Sequence, residues 1–375
     1  MGLFCLLAVT QCAYALYFFM RIFSLPAAPL KVKISKMAAK IPPVSIIICA
    51  KNEAYNLKKN LPAVLAQRYG NPGGKAMYEV IVVNDASDDD TAQVLKELEM
   101  QYDNLWDVII TNDEQRPQPG KKYALSRGLA IASHDWLLLT DADCAPASEE
   151  WLEKMVAPLA AGKQIVAGYG GYCHRPGLLN AFVRWETMHT FLQYSTYAQA
   201  GLPYMAVGRN MACTKEVLIR ARESEVWNVL PSGDDDLLVS IAGNGSNTAI
   251  VCDERAFTYT DAKTSWVDWV SQKQRHLSTG KYYKPAIKWL LGAYGISHAG
   301  LWLCFFVLLF SHYKLPVIAI MGMRCVIYWI IWLKTDMRLR ERKEVYLFPL
   351  FDIAWMVYNF AFFPYITWKN KKHWK

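Results

Sequence analysis

The hydrophobic pattern of the chain changes character twice. From Met1 to Met20 there is no charged residue. As a helix, such a run crosses the ~30 Å hydrocarbon core of a bilayer. From Val44 to Asp261 short apolar runs alternate with mixed, helix-like text. Long apolar runs then return: Ala286 to Phe310, apart from Lys288 and His298, then Leu315 to Leu333 and Val345 to Trp368. They predict two or three further spans behind an interfacial helix.

The middle section predicts alternating strands and helices. Val44–Ala50, Tyr78–Val83, Trp106–Ile110 and Trp136–Thr140 have the short apolar form of buried strands. Between them, Asn56–Tyr69, Thr91–Gln101 and Gly120–Ser133 read as helices. This alternation argues for a mostly parallel sheet covered on both faces. Polar residues collect where the strands end: Lys51-Asn52-Glu53 after the first, Asp85 after the second, Asp141 and Asp143 after the fourth. Open α/β sheets bind ligands at that edge, so these acids are expected to converge on one crevice.

Composition gains meaning from this map. The 375 residues are 53% hydrophobic and only 20% charged, where a soluble chain carries roughly a quarter. The apolar excess sits at the two ends. The net charge of +8 is concentrated beside them, in Arg21, Lys31, Lys33, Lys36 and Lys40, in Lys334–Lys343 and in the tail Lys369–Lys375. This placement suits membrane flanks and does not make a nucleic-acid surface. By the positive-inside rule the N-terminus faces out and the middle section is cytoplasmic. Three C-terminal spans would leave Lys334–Lys343 inside and the tail outside, although both want the cytoplasm. The nine cysteines include no CxxC pair, which indicates neither a disulfide framework nor a zinc site. Arg324 and Asp352 interrupt the apolar runs at matching depths of an antiparallel hairpin. Intramembrane charges pair or mark function, and a structural Arg324–Asp352 pair is the favoured reading.

Several clusters carry chemistry. Asp141-Ala-Asp143 ends a strand, where residues two apart point the same way and two carboxylates can hold a hard divalent cation. Asn84-Asp85-Ala-Ser87-Asp-Asp-Asp-Thr91 is a turn and helix cap that also aims Asp85 at the crevice. Gly120-Lys121-Lys122 opens a helix and is either a phosphate contact or a solvated face. Asp234-Asp235-Asp236 are adjacent acids in an apolar neighbourhood, where mutual repulsion raises at least one pKa and suits a general base or a cation. Ser265 to His276 reads as an amphipathic helix, with Trp266 and Trp269 on one face, followed by Lys281, Tyr282, Tyr283 and Lys284 in the style of a membrane interface. Arg175 to Gly201, rich in aromatic residues, reads as a core helix or a lining of the binding site.

In this order the motifs resemble those of the family 2 glycosyltransferases of the membrane-bound bacterial kind. Cys49-Ala50-Lys51-Asn52-Glu53 resembles the first nucleotide-contacting loop. Asn84 to Thr91 resembles DDGSxDxT, departing at Asn84 and Ala86. Gly120 to Leu125 resembles GKxxAL, and Asp141-Ala-Asp143 is similar to the metal-binding DxD. Gly208-Arg209-Asn210-Met-Ala212 is similar to the acceptor-side loop. Ser232-Gly-Asp234-Asp235 resembles the motif whose second acid is the catalytic base, with Asp234 and Asp236 as alternatives to Asp235. Gln272-Lys-Gln-Arg275-His276 resembles QxxRW, with His276 in place of the Trp.

The resemblance implies a GT-A fold, an α/β Rossmann-like domain with N- and C-terminal transmembrane helices. The implied boundaries are a transmembrane helix at 1–24, the catalytic domain at 41–262, interfacial helices at 263–288, transmembrane helices at 289–368 and a basic tail at 369–375. It implies an inverting transfer from a nucleotide sugar, most often a UDP-sugar, to a membrane-associated, lipid-linked or glycolipid acceptor at the plasma membrane. A cation, Mn²⁺ or Mg²⁺, would sit on Asp143 and Asp141. Ala50, Glu53, Asp85, Lys121, Asp141, Gln272 and Arg275 would hold the donor. Arg209, Asn210 and His276 would line the acceptor side. A processive polysaccharide synthase is the alternative, though few spans are available to wall a channel. A non-catalytic nucleotide-binding scaffold is a further one.

Overall fold

The computed structural model describes residues 1–26, 42–70, 76–118, 120–230, 233–341 and 344–367. Lys31, Lys33, Lys36, Lys40, Pro231, Ser232 and the tail 369–375 lie outside these. The chain divides into two compact units.

The first unit comprises Pro26–Cys173 and Pro203–Ala262. It holds strands β1 (Val44–Ala50), β2 (Tyr78–Asp85), β3 (Leu105–Ile110), β4 (Trp136–Asp141), β5 (Ala145–Pro146), β6 (Ile165–Ala167), β7 (Gly170–Tyr172), β8 (Met211–Thr214), β9 (Thr248–Ile250) and β10 (Thr258–Thr260). Seven form one sheet in the order β3-β2-β1-β4-β8-β6-β9, and β5-β10-β7 form a second. β3, β2, β1 and β4 run parallel, while β8 is antiparallel to β4 and to β6.

The period of two along each strand sorts side chains between the two covered faces. Ile46, Ile48, Val80, Val82 and Leu138 share one core with Leu57 and Leu61 of α2 (Ala54–Leu65), Val94 and Leu95 of α3 (Thr91–Glu99) and Trp151 and Met155 of α5 (Trp151–Ala160). Ile47 and Val83 face the other way, onto α4 (Lys121–Ile131). Gly128 of α4 lies so close that a Cβ there would stand 2.7 Å from Ile47 and 3.1 Å from Val83. Strands β1 and β2 are buried throughout, as continuous apolar text requires. The edge strand β3 exposes Trp106 and Ile109.

The second unit is helical and comprises Met1–Leu25, His174–Leu202 and Lys263–Lys371. Its helices are α1 (Gly2–Tyr17), α6 (Leu178–Gln199), α10 (Trp266–Leu277), α11 (Pro285–Leu308), α12 (Lys314–Leu339) and α13 (Phe348–Thr367). Among the described residues, four segments are long and apolar enough to span a membrane: Gly2–Phe23, Pro285–Leu308, Lys314–Leu339 and Val345–Tyr365. The C-terminal runs therefore supply three candidate spans. The expected Arg324–Asp352 pair is present and lies inside a larger network. Arg324 Nη1 binds Asp352 Oδ2 and Nη2 lies 3.1 Å from Oδ1. Trp302 Nε1 donates to Asp352 (2.9 Å) and His298 Nε2 lies 3.2 Å from it. Arg324 and Tyr328 donate to Gln11 Oε1 at 3.4 and 2.9 Å. All four apolar segments thus contribute a polar group to one buried cluster.

α6 fits the core-helix reading of its aromatic residues, since Phe182, Trp185, Tyr194 and Tyr197 are buried. It also carries two buried ion pairs, Arg184 with Glu341 (2.6 Å) and Glu186 with Lys273 of α10. Of the two tryptophans expected on one face of α10, Trp269 packs against Phe182, Tyr358 and Phe362, whereas Trp266 is half exposed.

Candidate active site

The C-terminal edge of the parallel strands is built as two interlocked loops. Asn52 adopts a left-handed conformation (φ 56°) just beyond β1. Its N–H donates to Ser87 Oγ at 3.0 Å, and its side-chain oxygen accepts from the N–H of Asp88 at 2.8 Å. The N–H of Glu53 donates to Thr91 Oγ1 at 3.0 Å, and that of Ala54, the first residue of α2, to Asp89 Oδ2 at 3.1 Å. Asp89 Oδ1 also accepts from the N–H and hydroxyl of Thr91. Desolvation opposes its charge, but these hydrogen bonds hold Asp89 below the usual carboxylate range. The acid-rich turn after β2 is therefore a clamp joining the ends of β1 and β2 as well as a source of acids.

Asp85 is fully buried at the end of β2. Arg116 Nη1 stands 2.7 Å from its Oδ1, off the line of a directed hydrogen bond, and neither oxygen receives one among the described residues. Sequence reasoning missed this arginine, because a single Arg in a Pro-rich loop has no signature. The loop is tied down by Glu114, which accepts from Tyr123 (2.8 Å) and Arg127 of α4.

β4 delivers the two acids of the DxD sequence. Asp141 Oδ1 is bound by Lys121 Nζ at 2.5 Å, and the same ammonium lies 3.8 Å from Asp234 Oδ2. Burial opposes the charge on Lys121, but the two carboxylates raise its pKa well above the ordinary value. Asp143 is open to solvent, yet protein atoms crowd its carboxylate. Their desolvation, then the charges of Asp141 and Glu53, raise its pKa. Asp141, Asp143 and Cys144 bring three ligand atoms within 4.8 Å of one another. Cys144 is buried and its thiol pKa is pushed well up by desolvation, so it stays protonated and points to Asp143 Oδ1 at 3.4 Å. The donor set that remains is two carboxylates, one of them destabilised as an anion. This set fits a hard divalent cation completed by water or phosphate oxygens.

The loop before β8 supports the centre of the sheet. Arg209 stacks over Tyr172 at 4.3 Å, and its carbonyl accepts from Thr140 and Thr258. Asn210 is completely buried, accepting from Trp151 Nε1 (2.9 Å) and donating to the carbonyls of Tyr169 and Ala256 (both 2.8 Å). Its amide is spent on holding the loop.

Asp234, Asp235 and Asp236 open α9 (Asp234–Ala242), preceded by Gly233 in the left-handed region (φ 78°). Asp234 and Asp236 are buried, while Asp235 is partly open. Asp235 Oδ2 accepts from the Gly208 N–H at 2.6 Å and Oδ1 from the Asp236 N–H at 2.9 Å. Desolvation and the neighbouring Asp234 push its pKa up to about 6. Of the three acids, Asp235 combines access with a pKa suited to a base. Ala50, Glu53, Asp85, Lys121, Asp141, Asp143, Arg209, Asn210, Asp234 and Asp235 all belong to this unit. Gln272, Arg275 and His276 belong to the helical unit, on α10, where Arg275 Nη2 and His276 Nε2 lie 3.4 Å apart.

Residues 45–217 match the family model described as Glycosyl transferase family 2. Glycosyltransferase AglE of Haloferax volcanii is 37% identical over 133 residues, 35% of this chain and 40% of that protein. Beta-monoglucosyldiacylglycerol synthase of Trichormus variabilis is 30% identical over 132 residues, 35% of this chain and 26% of that protein. The matches thus span less than half the length of these relatives. Among solved structures, the mannosyltransferase PcManGT from Pyrobaculum calidifontis, in complex with GDP-Man and Mn²⁺, superposes with a TM-score of 0.57 at 18% identity. The superposition covers 96% of this chain and 98% of that one. That likeness shows the fold, and the expected GT-A architecture is borne out.

Proposed function

Taking residues 45–217 as a family 2 glycosyltransferase domain, we propose that the protein transfers a sugar, with inversion, from a nucleotide-sugar donor to a hydroxyl of a membrane-associated acceptor. One observation carries this reading: Asp85, Asp141, Asp143 and the partly open Asp235 share one unit, with Lys121 bridging Asp141 and Asp234.

Asp143 with Asp141 would hold the divalent cation, which when bound neutralises the diphosphate leaving group. Asp85 accepts from the base and Glu53 from the ribose. Lys121 is already charged and aimed between the DxD and the acids of α9, and it stabilises the departing diphosphate. Asp235 takes the proton of the acceptor hydroxyl as its oxygen attacks the anomeric carbon. The bond from that carbon to the diphosphate breaks, and its electron pair leaves on the diphosphate oxygen. Asp235 must be ionised to act, so transfer rises as the pH passes about 6.

Four candidate spans among the described residues support a membrane-bound reading, in which the acceptor is lipid-linked or a glycolipid and the catalytic unit is cytoplasmic. The relative named Beta-monoglucosyldiacylglycerol synthase supports that choice. The test uses purified full-length protein, UDP- and GDP-sugars and lipid acceptors. Asp143→Ala should abolish transfer and EDTA should stop it, with Mn²⁺ or Mg²⁺ restoring the wild type only. Full activity of Asp143→Ala would sink the reading. One added sugar per acceptor supports single addition, and a ladder of products supports a synthase.

A further inference from the structure

Lys121 opens α4, next to the left-handed Gly120 (φ 62°). The start of that helix is held in place. The Lys122 ammonium donates to the carbonyl of Trp227 in α8 (Glu225–Val229) at 2.8 Å, and Ser126 Oγ donates to the Lys122 carbonyl at 2.8 Å. The side chain of Lys121, by contrast, reaches two acids on two different elements. Its Nζ stands 2.5 Å from Asp141 Oδ1 at the end of β4 and 3.8 Å from Asp234 Oδ2 at the start of α9. A shift of about 1 Å would bring the ammonium within hydrogen-bonding distance of Asp234. Asp141 is also one of the two carboxylates that fit a hard cation, its ligand atom lying within 4.8 Å of that of Asp143. The Asp141 side chain keeps 39% exposure, so the carboxylate is open to an arriving cation, whereas Lys121 is enclosed, at 15%.

Lys121 and a divalent cation are thus rivals for one carboxylate. Such a cation sits roughly 2.0–2.6 Å from its carboxylate oxygens, which would put it a few ångströms from the ammonium. Like charges that close repel strongly in a partly enclosed site. A diphosphate reverses the sign of this relation, because its oxygens accept from the ammonium and ligate the cation at the same time. We propose that Lys121 is a place-holding cation of the Asp141–Asp143 site: it neutralises Asp141, gives way toward Asp234 as the metal enters, and makes tight metal binding conditional on the nucleotide diphosphate. This assignment rests on the proposed reading of Asp141 and Asp143 as the metal ligands. It adds an order of events to that reading. Metal alone is held weakly, and metal and nucleotide are held firmly together. The fixed start of α4 confines the exchange to the Lys121 side chain, whose four-carbon stem has the freedom to make it.

The experiment is Mn²⁺ binding to detergent-purified full-length protein, read from the electron paramagnetic resonance of free Mn²⁺. It is run with Mn²⁺ alone and with saturating UDP or GDP, so no turnover is needed. The wild type should bind Mn²⁺ weakly alone and about tenfold more tightly with one of the nucleotides. Lys121→Met should tighten the binding of Mn²⁺ alone by about tenfold, and the nucleotide should then add about threefold or less. Coupling is reciprocal, so Mn²⁺ should strengthen nucleotide binding more in the wild type than in Lys121→Met. If Lys121→Met tightens Mn²⁺ equally with and without nucleotide, the ammonium repels the cation through space without exchanging places, and the proposal is overturned. Unchanged or weaker binding of Mn²⁺ alone in Lys121→Met overturns it as well, as does a wild type whose Mn²⁺ affinity neither nucleotide alters. If Lys121→Met does not fold, Lys121→Gln replaces it in the same measurements. Asp143→Ala separates this idea from the transferase reading. Undiminished Mn²⁺ binding in Asp143→Ala removes the metal site and the place-holder with it. Loss of binding there, with no effect at Lys121, overturns the place-holder alone.

Discussion

The two units compensate their charges to different degrees. In the helical unit each buried ion has its counter-ion in contact: Arg324 with Asp352, Arg184 with Glu341, Lys273 with Glu186. Asp352 also takes Trp302 and His298. In the α/β unit Asp85 and Asp141 also have a cation in contact, Arg116 and Lys121, but compensation of the acids there is incomplete. Asp85 receives no directed hydrogen bond among the described residues, Asp143 is destabilised as an anion and Asp235 titrates near 6. A paired buried charge fixes a packing arrangement, and removing one partner strands the other. An incompletely compensated carboxylate keeps capacity for a further partner.

Asp235→Asn breaks this comparison most directly. The change keeps the shape and removes the charge. With Asp235 as the proposed base, kcat should fall by ~10²–10⁴-fold, with nucleotide binding retained. The sign for stability is the reverse of the usual mutational outcome. The folded pKa of Asp235 lies above the ordinary value of 3.8, so its contribution is full below about 4 and lost as the pH rises through about 6. At pH 7.5 the ionised wild-type side chain is a burden, and the Asn variant should melt a few degrees higher. A lower melting temperature would show that Asp235 is a structural acid of the kind found in the helical unit, and the contrast would collapse.

The converse test addresses the paired charges. Asp352→Leu leaves the Arg324 guanidinium buried among helices without its carboxylate, and Arg324→Met does the reverse. Each should cost ~3–5 kcal/mol, while the double change should recover most of the loss. Thermal melts of detergent-purified protein would report it. If the double variant is as unstable as the sum of the singles, the two residues do not act as a pair.

These contrasts were not equally legible in the sequence. The four parallel strands and the acids at their ends could be read directly, because a strand buried on both faces must be a short apolar run that stops at its polar ligand edge. Arg324 and Asp352 stood out because charges are rare in such apolar text. Arg184 and Glu186 did not stand out, since charges on a mixed helix look like solvated ones. Their burial depends on Glu341 and Lys273, 157 and 87 residues away. Lys122 was hidden for a related reason: at the start of a helix it reads as a solvated charge, yet it is buried. Arg116 had no pattern at all, because its partnership with Asp85 is made by a loop whose path only the tertiary structure defines. Local periodicity reveals elements and their ends, whereas long-range partners decide which charges are compensated.

The smallest perturbation makes the sharpest distinction. Gly208 donates its N–H to Asp235, and its backbone lies outside the left-handed region, so an alanine there is not strained by conformation. A Cβ would stand 3.2 Å from Asp235 Oδ2 and 3.5 Å from its Cβ, and the carboxylate must retreat by a few tenths of an ångström. Misplacement by a full ångström costs on the order of 10²-fold, so Gly208→Ala should lower kcat by about 3- to 10-fold. The nucleotide dissociation constant and the melting temperature should barely move. Gly322 of α12, where an added Cβ meets nothing within 4 Å, is the matched control, and Gly322→Ala should be silent in both assays. A Gly208→Ala enzyme with unchanged kcat would mean that the geometry of Asp235 tolerates displacement. A carboxylate that tolerates displacement at its Gly208 N–H contact is not poised for proton transfer, and the difference between the two units would then be one of burial alone.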